Sequence, residues 1–295
     1  MRLSPLPAVL ATLAMLLAGA LPASAADAPG SSASATLDRI KRTGIIRLAY
    51  REAAAPFSFK DRGGAIRGYS VDLCIRVAKA IEKDLGLASL KVEWLPVTAA
   101  TRLDAIAGGK ADVECGTTTI TLTGLRSVDF SVPIFVDGGT VLVDSRSKLS
   151  RLADLKGRRV AVIAGTTTER ALKRSLEQID AAATLVPVRD GEAGVALLVQ
   201  GKVDGYAGDR IVLDGLRSAA PDPARIGFIF GDFSYEPYAL VVRRTDPDFR
   251  LAVNRALVDL YRSGEIDGIF QTWLGALGEP GPLLHSMFYL NTLPE

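Results

Sequence analysis

Short apolar runs alternate with segments of helical period from about residue 37 to residue 274, a pattern that predicts an α/β protein. A helix over 37–43 stops at Gly44, and 45–50 reads as a strand. Residues 61–68 form a glycine-rich hairpin turn before an amphipathic helix over 69–85, where Val71, Ile75, Ala78 and Leu85 recur near every 3.6 residues. A strand over 91–95 and a helix over about 99–107 come next. Asp112, Val113, Glu114 and Cys115 then make a short strand that stops at Gly116 and opens into Thr117, Thr118 and Thr119. A β-branched run by itself reads equally as more strand. A helix-like segment follows at once, however, and then an apolar stretch over 128–133 closed by Pro133. Open α/β sheets hold small polar ligands where strand ends face helix N-termini.

Strands over 134–136 and 139–143 bracket a glycine turn, and the second is expected to cross between lobes. Another α/β unit opens at Leu152, with a strand over 159–163, a turn through Gly165, Thr166, Thr167 and Thr168, and a helix over 169–176. The turn repeats the first threonine cluster, with free N–H groups and hydroxyls at a helix start; an N-cap that only stabilises its own helix is the alternative. A strand over 184–188, a helix over 192–200 and a strand ending at Asp209 follow. Asp209 stands where it could cap the next helix or meet a ligand. Residues 235–242 read as a return crossing, ahead of helices over 248–263 and 264–274.

The composition is that of an ordinary globular protein: 295 residues, 48% hydrophobic and 23% charged, enough for two lobes or one large domain. Arg2, the apolar run over 9–20 and the small residues Ala23, Ser24 and Ala25 predict a signal peptide over 1–26, with no cysteine behind it for a lipid anchor. Without Arg2 the balance is 34 basic against 33 acidic residues, which argues against nucleic acid or an anionic membrane surface as partner. Cys74 and Cys115, an even pair in an exported chain, are expected to form a disulfide clamping the 69–85 helix to the threonine-bearing strand; two buried thiols are the alternative. Neither cysteine has a histidine nearby in sequence, so neither reads as a nucleophile. With one histidine, His285, outside every motif, no transition-metal site or cofactor is expected.

Three ordered motifs carry a resemblance: GYSVDLCIRVA over 68–78, ECGTTTITLTGLRSVDFS over 114–131 and AGTTTERAL over 164–172. Together they resemble the periplasmic polar-amino-acid-binding proteins of ABC importers, the bacterial extracellular solute-binding family 3, nearest to its glutamate/aspartate-binding members. The resemblance spans 37–274. It implies a type II periplasmic-binding-protein fold, with two lobes, each a central sheet flanked by helices, joined by two crossing strands. Lobe 1 would comprise 36–143 and 238–295, and lobe 2 would comprise 144–237. It further implies that Arg51 and Arg102 hold a side-chain carboxylate, that Thr117, Thr119 and Thr166 give hydroxyl and N–H contacts, and that Asp209 receives an ammonium. The partner would be the membrane permease, the location the periplasm and the state a monomer.

Two positions depart from that pattern. Relatives carry an arginine for the ligand's α-carboxylate where this chain has Gly124, and a helical step of two residues turns Arg126 roughly 200° away. Histidine-bearing relatives have their side-chain contact where Gly191 stands. The rival from another class is a periplasmic enzyme on the same fold, similar to cyclohexadienyl or arogenate dehydratases, with Glu114 or Glu236 as its acid.

Overall fold

The computed structural model describes residues 34–294, so the signal peptide read over 1–26 lies outside the described residues. Helix α1 (Ala35–Thr43) begins where the Ser34 side chain accepts the Leu37 amide, and ends at Gly44, whose φ of 64° is the left-handed turn that glycine adopts at no steric cost. After β1 (Ile45–Arg51), a small antiparallel sheet forms from β2 (Ala53–Ala54), β3 (Ser58–Lys60) and β4 (Ile66–Arg67). Then come α2 (Tyr69–Asp84), β5 (Lys91–Val97), α3 (Arg102–Ala107), β6 (Val113–Thr119) and β7 (Val128–Asp137). A second unit is built by β8 (Gly139–Asp144), β9 (Arg159–Ile163), α4 (Thr167–Gln178), β10 (Thr184–Val188), α5 (Gly191–Val199), β11 (Gly205–Asp209), α6 (Arg210–Ser218) and β12 (Ile226–Phe228). The chain returns with β13 (Glu236–Arg243), followed by α7 (Pro247–Ser263), α8 (Glu265–Leu274) and α9 (Pro282–Leu290).

One five-stranded sheet has the order β5-β1-β6-β13-β7 and the other β10-β9-β11-β8-β12. In the first, β5, β1 and β6 are parallel while β13 runs antiparallel between β6 and β7. In the second, β10, β9 and β11 are parallel and β8 is antiparallel to both β11 and β12. Each sheet is buried on both faces, so its strands alternate between two cores. On β9, Val160 and Val162 pack with Leu172 and Leu176 of α4, whereas Ala161 packs with Val195 and Leu198 of α5. On β1, Ile46 and Leu48 join α2, α7 and α8, whereas Ala49 meets Ile106 of α3. The chain passes between the sheets twice: through the extended run from β7 over Gly138 into β8, and over residues 229–235 into β13. This is the two-lobed periplasmic-binding-protein architecture.

Several elements differ from the sequence reading. β6 does not stop at Gly116 but continues to Thr119, because β13 pairs with it there, Tyr238 opposite Thr119 and Ala239 opposite Thr118. The helix-like segment after it is a single 3₁₀ turn, Gly124–Arg126. α3 starts only at Arg102. β8, read as part of the first lobe, is hydrogen-bonded in the second sheet from Gly139 onward, so the change of sheet falls at Gly138. α9 was not anticipated; its Leu284, Met287 and Phe288 join the first-lobe core, with Phe288 5.3 Å from the Tyr261 ring. Cys74 and Cys115 form the expected disulfide, their Cα atoms 6.1 Å apart, tying α2 to β6.

Candidate ligand-binding site

A cavity of about 50 Å³ lies between the two sheets. One water needs roughly 10–15 Å³, so this space suits a small solute. It opens at the carboxyl ends of parallel strands, where α/β sheets gather ligand groups. Arg51, Arg102 and Thr117 line it from the first lobe, and Thr166, Thr168 and Asp209 from the second. The lobes are shut upon it. Ile211 and Val212 of α6 pack against the first-lobe core, and a side chain at Gly215 would run into the Ala55 carbonyl.

The first-lobe half is cationic. Arg51 ends β1 with 8% of its surface exposed, and its guanidinium makes no hydrogen bond or ion pair among the described residues. Burial, and next to it the charge of Arg102, pushes the Arg51 pKa down to about 10, while Glu114 opposes the shift. Arg102, at the start of α3, donates Nη1 to the Thr117 carbonyl at 3.0 Å. Glu114 lies beneath them, fully buried: Oε2 accepts from Thr118 Oγ1 at 2.7 Å, and Oε1 has no partner among the described residues. Glu114, Gly116 and Thr118 share one face of β6. A Cβ at Gly116 would strike the Glu114 carboxylate and the Arg51 stem, so the missing side chain there lets both groups lie where they do.

The second-lobe half is acidic and rests on a helix start. Thr166 caps α4, accepting from the Glu169 amide at 3.1 Å and donating its hydroxyl proton to the Ile163 carbonyl at 2.8 Å. Its hydroxyl is thereby spent locally, and the first-turn N–H groups of Thr167 and Thr168 are the donors left at this helix end. Asp209 ends β11. It does not cap α6; Asp137, on the last residue of β7, accepts the Ile211 amide at 3.1 Å in its place. Freed from that duty, Asp209 accepts from Thr168 Oγ1 and from Tyr238 OH, each at 2.6 Å. Burial, then the charge of Glu236, pushes the Asp209 pKa up, against those two hydrogen bonds. Asp137 sits on the other side of the same phenol, 3.3 Å from Tyr238 OH, and burial beside Asp209 pushes its pKa up to about 8.

Thr119 stands apart from the other predicted residues. It borders a second, larger groove, donates to the buried Glu236 at 2.6 Å and touches Thr167 Oγ1 at 3.2 Å. Gly124 is packed under Phe130 and Thr121, so any side chain there would need that ring to move. Arg126 is exposed and does not line the cavity; Arg244 binds its carbonyl. Gly191 lines the cavity, with Leu216 filling the space a side chain would take. Sequence reasoning missed Thr168, Tyr238 and Asp137. The one available signal was an acid, Asp137, closing an apolar strand directly before Gly138 and Gly139.

A family model, bacterial extracellular solute-binding proteins, family 3, matches residues 46–276. The chain belongs to that family. Among its relatives, the L-glutamate/L-aspartate-binding protein of Pseudomonas aeruginosa is 35% identical over 88% of this chain and 86% of its own length. The glutamate/aspartate import solute-binding protein of Escherichia coli is 30% identical over 89% of this chain and 86% of its own. Among solved structures, an ancestral arginine-binding protein bound to arginine superposes with a TM-score of 0.71 at 29% identity, covering 79% of this chain and 99% of that one. An ancestral amino acid-binding protein described as a precursor of cyclohexadienyl dehydratase gives 0.70 at 29%, over 82% of this chain and 99% of that one. Family 3 membership thus agrees with the two-sheet architecture and the cavity between the sheets.

Proposed function

We propose that this protein is the periplasmic substrate-binding component of an ABC importer, capturing a small polar or acidic amino acid between its lobes and handing it, as a monomer, to the membrane permease. The carrying observation is the charge division of the cavity: a buried arginine, without a side-chain partner among the described residues, on one lobe and a half-buried aspartate on the other both line it. A zwitterion with an acidic side chain satisfies both. Its ammonium meets Asp209, its side-chain carboxylate meets Arg51 and Arg102, and its α-carboxylate lies against the first turn of α4 that Thr166 caps, with Thr117 alongside. Because the contacts come from both lobes, the ligand favours the shut form by its differential affinity for it. The glutamate/aspartate-binding relatives support the ligand class.

Calorimetry with L-glutamate and L-aspartate tests this reading. Asp209→Ala and Arg51→Ala should each weaken binding by about a hundredfold, the loss expected when a charged hydrogen-bond partner is removed. Unchanged affinity in both variants rejects the assignment.

One structural neighbour, itself an amino acid-binding protein, is described as a precursor of cyclohexadienyl dehydratase, which is the ground for weighing an enzymatic reading. Of the acids that reading offered, neither lines the inner cavity. Glu114 is held by Thr118, and Glu236 by Thr119 and Ser234. A binding role without turnover therefore fits better, and absence of prephenate or arogenate consumption, followed by ultraviolet absorbance, is the expected result.

A further inference from the structure

The inner cavity and the larger groove beside it share a wall residue, and a hydroxyl contact between the lobes lies at it. Thr167 borders both, and its Oγ1 lies 3.2 Å from Thr119 Oγ1. Thr119 has already given its only hydroxyl proton to Glu236, so Thr167 must be the donor across that gap. The contact joins β6 of the first lobe to α4 of the second, and a polar group of a ligand can replace it without leaving a buried atom unpaired. Beyond it the groove has about 510 Å³, some ten times the inner space.

The groove is positively charged. Arg170 and Arg174 line it from α4, and Arg174 makes no ion pair or hydrogen bond among the described residues. Arg170 keeps Nη1 on the Gly165 carbonyl at 3.1 Å. The acid in the lining, Glu236, is 1% exposed, with one oxygen accepting from Thr119 and the other from Ser234. Among the described residues no first-lobe cation lines this groove: Gly124 has no side chain, and Arg126 is exposed and outside the lining.

We infer that this groove is a second subsite, which takes a carboxylate-terminated extension on the amino acid held in the inner cavity, the simplest such ligand being a dipeptide with an acidic first residue. The inference rests on the amino-acid reading above. The dipeptide's ammonium and first side chain occupy the inner cavity, its peptide group replaces the Thr119–Thr167 contact, and its terminal carboxylate lies by Arg170 and Arg174.

Titration calorimetry with L-glutamate, L-glutamyl-L-alanine and the C-terminal amide of that dipeptide tests it. The dipeptide should bind the wild-type protein, and its amide about fivefold more weakly, which is what one exposed ion pair supplies. Arg170→Ala/Arg174→Ala should cost the dipeptide at least that factor and leave L-glutamate unchanged. Arg174→Glu, which leaves the Arg170–Gly165 bond in place, should do the same. If L-glutamate binds and the dipeptide does not, or if the dipeptide binds equally to wild type and both variants, the subsite is overturned while the amino-acid reading stands. If no ligand binds, both fall.

Discussion

Thr117, Thr118 and Thr119 on the first lobe confront Thr166, Thr167 and Thr168 on the second, yet the two clusters are held by different means. The first is a strand, fixed by β13 pairing alongside and by a disulfide two residues before Thr117. Alternation turns Thr118 away from the cavity onto Glu114, while Thr117 lines the cavity. The second is a helix start, where Thr166 caps and Thr168 donates to Asp209. Both thus give a hydroxyl proton to a carboxylate, but Glu114, which accepts from Thr118, is fully buried, and Asp209, which accepts from Thr168, is half-buried and borders the cavity. Thr118 is thus structural on the strand, whereas Thr168 on the helix orients a group of the site.

The largest expected effect concerns the acids behind the second cluster. Asp137, with its pKa pushed up to about 8, and Asp209, also raised, face Tyr238, Glu236 and, more distantly, Arg102. A carboxyl whose folded pKa is raised holds its proton in the folded state when the unfolded chain has lost it. The stability it contributes is complete below the unfolded value near 4 and is lost as pH climbs through the folded value. Without ligand, unfolding free energy should therefore fall between about pH 4 and 8, by up to ~1.4 kcal/mol per pH unit for each proton held. Urea denaturation across that range should show this slope, and Asp137→Asn should flatten it. A wild-type slope matching that of the variant would show that Asp137 holds no extra proton in the folded state.

The disulfide comes next, and it distinguishes the two halves, because among the described residues only the first-lobe strand is stapled. Cys74 and Cys115 are 41 positions apart, and closing such a loop restricts the unfolded chain enough to contribute about 4 kcal/mol. The Cys74→Ser/Cys115→Ser variant should lose roughly that in denaturant unfolding. A loss below about 1 kcal/mol would mean that strand pairing alone holds the first cluster.

A paired substitution then separates the roles directly. Thr118→Val leaves the fully buried Glu114 carboxylate without its hydroxyl donor and should cost about 2 kcal/mol of stability, with ligand affinity little changed. Thr168→Val removes a donor from Asp209 and should weaken binding of L-glutamate by about tenfold, with the smaller stability loss. Denaturation and calorimetry on the same two proteins check both halves, and the reverse outcome would exchange the assignments.

How far the sequence reveals this arrangement follows from the range of the forces involved. Glycine stops, helical periods and strand ends are local, so α1, α2, β9, α4 and Asp209 at the end of β11 could all be read from neighbouring residues. What could not be read depends on partners distant in the chain. β6 runs on through the threonines because β13 arrives more than a hundred residues later to pair with it. Asp209 is free of helix capping because Asp137, 74 residues before Ile211, accepts that amide. Arg51 and Arg102 share a cavity wall through the sheet order, and α9 finds its place only against a core already assembled.

The smallest effect tests the second cluster at its first member. Thr166→Ala removes an N-cap and should cost about 1 kcal/mol, largely recovered in Thr166→Ser, which keeps the oxygen. The resemblance to amino-acid-binding proteins implies a hydroxyl contact with ligand at this position, whereas the hydroxyl proton is committed to the Ile163 carbonyl and one lone pair to the Glu169 amide. If the residue acts by presenting the Thr167 and Thr168 amides, the alanine variant should bind L-glutamate within about twofold of wild type once it is fully folded. A tenfold loss at unchanged helix content by circular dichroism would instead show that the hydroxyl turns to the ligand and leaves Ile163 unpaired.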